Sequence, residues 1–567
     1  MNRVIKKIKS KTRSRYYDPS ASPDEIFLDS KNLPDFDTQQ FEGHLERPIT
    51  KRTLGAVGIV FFAVVLLFSG RLWVLQVARG DVYKAQSEKN SLSREPLFSS
   101  RGNIYDRNGT LLAWNNTKTE DTPWGLRSYI ASNGFSHVLG YVGYPQKDKS
   151  GNYWQTEVTG KDGVEKMFND RLSGKNGSNI VERDIAGAVQ GGAVVNQPVA
   201  GDNLTLSIDS RLQARMHEAL AAYIRSAGFR SASAVMMDVR TGEVILMTNY
   251  PEYNSNIMSL GKDRATIRTY LTSSQTPLLN RAISGLFTPG SIVKPYVAMG
   301  VLNEKVIDPL TKILAHGYIT VPNPYDPAHP GIFRDYNPNN GWIDMRHALS
   351  VSSNIYFFEV GGGYQSQKGL GIYNLGKYMS MYGLDQKTGI DLPGETSGII
   401  PSPEWKSKKF NGEVWRIGDT YNTAIGQYGV QVTPIAMARA VSAIATRGTL
   451  VTPHILKDEP VQETKLDLPD SYYTIVHEGM RLGATEGTGK ILATLPFTAA
   501  SKTGTAQVGV GGLQVNAWMT AFFPYENPHY ALVVMFERGP QSGLGASQHA
   551  AKDFLDWVVM NAPEYTK

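Results

Sequence analysis

The 567-residue chain contains no cysteine. Disulfides, thiolate nucleophiles and zinc–thiolate sites are therefore excluded, and cysteine pairing says nothing about the redox compartment. Its ten histidines are scattered and form no His-x-x-x-His, so neither a metal nor any other cofactor is expected. Internal repeats are absent, and charge of one sign is not abundant: the formal net charge is only +6. Much of that excess is local, with Arg3, Lys6, Lys7, Lys9, Lys11, Arg13 and Arg15 crowded at the start. A nucleic-acid arm is one reading of such a cluster. The segment downstream favours another.

No residue from Thr53 to Gly70 is charged, and the apolar run LGAVGIVFFAVVLLFSG continues as LWVLQVA after Arg71. That length suits one helical crossing of a bilayer core. Lys51 and Arg52 stand immediately before it, so the positive-inside rule places the tail in the cytoplasm and everything after the span outside. A cleaved signal peptide does not fit, because its charged region would not be some fifty residues long and no small-x-small site follows. The localisation expected is a cell membrane, crossed once, with the large domain extracytoplasmic.

What remains has an ordinary 41% hydrophobic content and should fold around a core. The division read from composition is a disordered tail over 1–52, an anchor over 53–75, a turn-rich zone over 76–200 and a larger domain over 201–567. In that last domain LTLSID (204–209) alternates like a strand, and SRLQARMHEALAAYIRSA (210–227) carries a helical apolar stripe. SAVMMDVRTGEVILMTN reads as a hairpin turning at Arg240–Gly242. Helical stretches follow, then TAASKTGTAQVGV, NAWMTAFFPY and YALVVMFERG as an antiparallel meander, then a closing helix over 549–562. Strands first, helices inserted, strands last: the fold class is α+β.

Three short motifs carry candidate chemistry. FTPGSIVKP holds Ser291 and Lys294 three residues apart behind a Pro-Gly turn. Residues three apart share a helix face, so hydroxyl and amine meet at the helix start. A partly desolvated lysine near another cation can have its pKa lowered enough to act as the base that a serine nucleophile needs. Ser259–Lys262 has the same spacing but no Pro-Gly turn, and reads as a surface loop. Ser352 and Asn354 form a Ser-x-Asn between helical stretches. Lys502-Thr503-Gly504-Thr505 lies on an expected strand, where Gly504 would leave room for a substrate backbone along the sheet edge. The competing Lys387-Thr388-Gly389 sits in a turn-rich loop, and Ser30-Lys31-Asn32 in the tail. Arg334 and Asp335 have two readings, residues lining the cleft or residues of a solvated loop, and the second is favoured.

Ser-x-x-Lys, Ser-x-Asn and Lys-Thr-Gly in this order mark penicillin-binding proteins and serine β-lactamases. The chain resembles the class B penicillin-binding proteins, monofunctional D,D-transpeptidases, over nearly everything after the anchor. SSRGNIYDRNG (99–109) and VTGKDGVEKMFNDRLSGKNG (158–177) resemble the two pedestal signatures, and TGIDLPGE, PSPEWK and WRIGDTYNTAIGQYGVQVTPIAMARA follow in family order, leaning toward the elongation type. The stretch between Asn115 and His137 is short, which implies a reduced pedestal head, and IGQYGV departs from the usual Gly-Gln-Gly run. The resemblance implies a five-stranded antiparallel sheet flanked by helices, an inserted helical subdomain, and a small β-rich pedestal before it. It implies that Ser291 is the nucleophile, Lys294 the base, Ser352 a proton relay, Asn354 a substrate anchor and Lys502 a source of positive field. Thr503, Gly504 and Thr505 would bind the substrate, with the N–H groups of Ser291 and Thr505 as oxyanion hole. The implied partners are peptidoglycan stem peptides, β-lactams and a polytopic glycosyltransferase. The alternatives are a division-type enzyme or a mainly structural activator of that polymerase.

Overall fold

The computed structural model describes residues 51–84, 92–149, 151–183, 189–323 and 326–567. The expected disordered tail over 1–52 falls almost wholly outside them. The chain divides into two compact units, 1–91 and 92–567. The first contains helix α1 (Lys51–Trp73), extended by a π-helical turn to Ala78. It is the one helix among the described residues long and apolar enough to cross a membrane, and none of its residues is buried in protein.

The second unit begins with a pedestal of short strands. Strands β1 (Leu92–Leu97), β2 (Ile104–Tyr105), β3 (Leu111–Asn115), β4 (Arg127–Tyr129), β5 (Gly177–Arg183) and β6 (Val189–Asn196) form two small sheets, ordered β1-β5-β6 and β2-β3-β4. A further strand, β7 (Leu204–Thr205), pairs in parallel with β2. Only two residues of LTLSID are thus a strand, and they join the pedestal; Leu206 is tied by a single bridge to Leu456 and Ser207 by its N–H to Ile455 O. Both pedestal signatures meet in a buried cluster. Arg101 from the first donates to Glu165 from the second at 2.5 Å, and Arg127 of β4 reaches the other carboxylate oxygen at 2.7 Å.

Helix α2 (Ser210–Ala227) follows, with Asp209 accepting from Arg211 N at its start and Gly228 in the left-handed conformation at its end. The pedestal holds this helix start directly: Asp106 accepts from Ser210 N at 3.1 Å and Ser210 Oγ at 2.6 Å. The hairpin β8 (Ser231–Asp238) and β9 (Val244–Tyr250) opens the main sheet, and three late strands complete it: β10 (Ala500–Val508), β11 (Gln514–Phe523) and β12 (Tyr530–Pro540). The order is β9-β8-β12-β11-β10, antiparallel throughout, with β10 at an edge.

Strand β8 is buried on both faces, and the pleat sorts its residues between two cores. Ala232, Ala234 and Met236 pack with Leu212, Met216 and Leu220 of α2 and with Phe554 and Leu555 of the closing helix Ala546–Asn561. Val235 and Met237 face the other way, onto Met437 and Val441 of helix Pro434–Ala445. Between β9 and β10 lies the inserted, mainly helical part; most of it covers that second face, while Ala484, Leu492, Leu495 and Ala499 at its end join the first core. Ser259, expected on the surface, is buried in the short helix Ser255–Leu260, where its Oγ accepts from Val142 N of the pedestal at 3.1 Å. A serine beside apolar Ile257, Met258 and Leu260 can be recruited into a domain junction, which its polar surroundings in sequence did not reveal.

Candidate active site

Ser291 lies in a single 3-10 turn, Gly290–Val293, that runs into helix Lys294–Asn303. Gly290 has a φ of +60°, and a Cβ there would stand 2.4 Å from Thr505 O. Its N–H donates to Gly426 O, at 3.0 Å, so the IGQYGV segment fixes the turn from one side and β10 from the other. Tyr428, which breaks the Gly-Gln-Gly pattern, sits at a φ of +50°, a conformation that favours glycine. Its ring is offset by contacts with Trp405, Trp415 and the Lys406 ammonium, 5.5 Å above it.

Gly504 of β10 is needed for a different reason from the one its strand position suggested. A Cβ on Gly504 would come within 2.6 Å of Pro289 O and 2.9 Å of Ile292 Cγ2. The missing side chain lets the edge strand press against the nucleophile's turn. It does not face an open edge.

Lys294 is completely buried, and its Nζ donates to Ser352 O at 2.7 Å and Asn354 Oδ1 at 2.8 Å, with Ser352 Oγ at 3.5 Å. The Phe357 ring lies beneath it at 5.4 Å. Lys502 of β10, 1% exposed, donates to the same Ser352 Oγ at 2.7 Å and to Thr503 O at 3.1 Å. Ser352 therefore stands between two ammonium groups. It does so with a φ of +60°, outside any helix, in the turn between helix Met345–Ser350 and helix Asn354–Gly362. The Ser291 hydroxyl is half-buried and makes no hydrogen bond to the described protein groups, which leaves it available to a substrate.

Burial disfavours the charged form of both lysines. It lowers Lys294 to about 7, against a smaller opposing pull from the Asp335 carboxylate. Burial also holds Lys502 well below the ordinary lysine value, and the Lys294 charge pushes it the same way. An amine that titrates near neutrality, joined to a hydroxyl that a second lowered lysine also holds, can take up and release a proton there.

The remaining residues occupy the same wall. Thr503 is buried, with its hydroxyl donated to Thr488 Oγ1 at 2.6 Å, whereas Thr505 is exposed on the same face of β10. Lys387 lies in a loop, exposed, with the neighbouring Thr388 turned away to hydrogen-bond Glu395. Asp335 is not a bystander in a solvated loop: it accepts from Ser353 Oγ at 2.5 Å and Asn354 N at 2.8 Å. It sits just after the hairpin Tyr318–Val321/Gly331–Arg334, in a stretch rich in Asn and Pro. Neither periodicity nor a motif distinguishes it there. Thr488, Gly426 and Phe357 were likewise passed over as site residues. Among the described residues, no three His, Asp or Glu side chains converge as metal ligands.

The arrangement has known counterparts. Residues 123–206 match the penicillin-binding protein dimerisation domain, and residues 232–556 match the penicillin binding protein transpeptidase domain. The peptidoglycan D,D-transpeptidase MrdA of Acinetobacter baumannii is 28% identical over 608 aligned residues, covering 90% of this chain and 87% of its own. Among solved structures, PBP2 of Pseudomonas aeruginosa in complex with WCK 5153 superposes with a TM-score of 0.68 at 30% identity, covering 84% of this chain and 98% of that one. PBP2 of Helicobacter pylori, in its complex with MreC, gives 0.69 at 27% identity, covering 83% and 99%. With its two lysines converging on Ser352, and with more than half its length matching one family, this chain belongs to the penicillin-binding protein transpeptidases.

Proposed function

We propose that this protein is a membrane-anchored peptidoglycan D,D-transpeptidase of the elongation type, acting through an acyl-enzyme on Ser291. The observation that carries the chemistry is the convergence of buried Lys502 and of buried Lys294, one turn on from Ser291, on Ser352 Oγ. Ser291 Oγ attacks the carbonyl carbon of the penultimate D-alanine while its proton passes to neutral Lys294. The N–H groups of Ser291 and Thr505 hold the oxyanion, often the largest single catalytic contribution. As the amide C–N bond breaks, the proton travels from Lys294 through Ser352 to the leaving D-alanine nitrogen. An amine of a second stem peptide then attacks the ester, gives up its proton by the same route, and frees Ser291. Asn354 and Thr505 anchor the donor peptide, and Lys502 draws its carboxylate. A β-lactam follows the first half of this path, but its amine stays tethered and blocks the second.

The elongation reading is supported by the likeness to MrdA and PBP2 proteins. The Helicobacter pylori PBP2 solved in complex with MreC supports an MreC-like protein as one partner, and a polytopic glycan polymerase is the other partner of this reading. Lys51 and Arg52 before α1 favour a cytoplasmic N-terminus; a reporter fused after Lys567 should be active only outside the cytoplasm. Mass spectrometry after benzylpenicillin treatment tests the reaction itself. The adduct is expected on the peptide containing Ser291, and an adduct on Ser259 or Ser352 would overturn the assignment.

A further inference from the structure

The most strained part of the site is the turn that carries Ser352, and one carboxylate outside the three motifs holds it. Ser352 has a φ of +60°, a strained conformation that residues other than glycine adopt rarely. Such a conformation persists only where neighbours over-determine it. Here they are Ser353 N, donating to Ala348 O at 3.0 Å, and Asp335. Asp335 Oδ1 accepts from Asn354 N at 2.8 Å and from Tyr336 N at 2.9 Å. Its Oδ2 accepts from Ser353 Oγ at 2.5 Å and from Asn340 Nδ2 at 3.2 Å. The same backbone contributes Arg334 O, which accepts from Asn354 Nδ2 at 3.2 Å. The two residues following Ser352 are thus clamped by the hairpin Tyr318–Val321/Gly331–Arg334 and the turn after it, together the lobe hairpin. The clamp fixes the orientation of Asn354 as well, since Oδ1 must face Lys294 when Nδ2 is held by Arg334 O.

We infer that Asp335 is a positioning residue for acyl transfer, holding the Ser352–Asn354 turn so that Ser352 Oγ and Asn354 Oδ1 face the two cleft lysines. This rests on the transpeptidase reading above. It also gives the lobe hairpin a role in the reaction. Displacement of residues 334–335 releases Ser352 from its place between Lys294 and Lys502, and proton transfer stops while Ser291 stays put. Asp335 acts a second way, through charge. The charged groups around Lys294 are Asp335 from the lobe and Lys502 from β10; Arg334 is turned aside, stacked 5.7 Å over the Tyr318 ring. Asp335 favours the protonated form of Lys294, so its removal lowers the lysine further and moves the onset of activity to lower pH.

The test is acylation of the full chain in detergent by a fluorescent penicillin, followed in stopped flow from pH 5 to 9, for the parent, Asp335→Asn and Asp335→Ala. Misplacing a catalytic group by about 1 Å can cost roughly a hundredfold. Asp335→Ala should therefore lose roughly a hundredfold in the plateau rate, and Asp335→Asn, which keeps an acceptor for Asn354 N, clearly less. Both should show the acid limb at lower pH than the parent. If Asp335→Ala does not fold, Asp335→Asn and Ser353→Ala, which removes one arm of the clamp, carry the test alone. Plateau rates within threefold of the parent with an unmoved acid limb would overturn the inference, whatever happens to thermal stability. A parent protein that forms no adduct on Ser291 would instead overturn the transpeptidase reading.

Discussion

In the pedestal, Glu165 lies between Arg101 and Arg127, all three buried; in the cleft, Lys294 and Lys502 are as deeply buried but have one carboxylate, Asp335, near them. Burial alone would push the Glu165 carboxyl up, but the charges of Arg127 and Arg101 outweigh it and hold it below its usual value. Burial of the lysines is opposed only weakly, by Asp335 acting on Lys294, and brings that residue to about 7. The same physical cost, desolvation of charge, is thus met in two ways. Surplus counter-charge gives a group that stays ionised at every physiological pH and serves as a fixed joint. Deficient counter-charge lowers both lysines and leaves Lys294 able to move a proton near neutrality.

The largest expected effect separates the two clusters by stability. Glu165→Ala leaves two guanidiniums in a dry site without their carboxylate, and removal of one partner from a buried ion cluster costs about 3–5 kcal/mol. Denaturant unfolding should register that loss, while the folded fraction acylates with penicillin at an unchanged rate. An unaltered unfolding midpoint would break the comparison. Lys502→Ala should do the reverse. Acylation should fall about a hundredfold, equivalent to about 2.7 kcal/mol of barrier, with the unfolding midpoint unchanged or raised because a poorly compensated buried charge has gone. A rate within threefold of the parent would remove Lys502 from the site.

The pH dependence sharpens the contrast further. Only neutral Lys294 can accept the Ser291 proton, so acylation should fall about tenfold between pH 8 and pH 6, through a midpoint near 7. The stability difference between Glu165→Gln and the parent should be equal at those two pH values. Glu165 is ionised in both folded and unfolded chains there, and its contribution is lost only as the pH falls below the ordinary glutamate value toward the lowered folded one. An acid limb near pH 5 would mean that another group is the base. The smallest effect is set for Lys387→Ala, a well-screened loop charge, whose acylation rate should stay within about threefold. A loss equal to that of Lys502→Ala would reverse the choice between the two Lys-Thr-Gly segments.

Features whose cause is local were legible before any coordinates. Helix 210–227 is bounded by its own capping residues, Asp209 and Gly228, and the hairpin around Arg240–Gly242 by its own turn. The uncharged run from Thr53 to Gly70 needs no partner to be recognised as a span. The three motifs proposed as catalytic are read from residue type and order alone. Other features were misread because their cause lies far away in sequence. Ser259 has apolar Met258 and Leu260 beside it within a polar stretch, but its partner is a pedestal N–H 117 residues distant. Asp335 looks like any aspartate in an Asn- and Pro-rich loop until the lobe is folded against Ser353 and Asn354. Gly504 carried the correct identity for the wrong reason, since its missing Cβ answers to Pro289 and Ile292.

The amino-acid order alone determined that a serine, two lysines and a Ser-x-Asn turn would be present behind a membrane anchor, because each is encoded within a few consecutive residues. Only the tertiary structure decided that Lys294 would titrate near neutrality, that Ser352 would stand between two ammoniums, and that Asp335 would hold it there. A lysine's proton affinity and a serine's strained φ are set by the whole volume packed around them, and that volume is assembled from strands and helices more than a hundred residues apart.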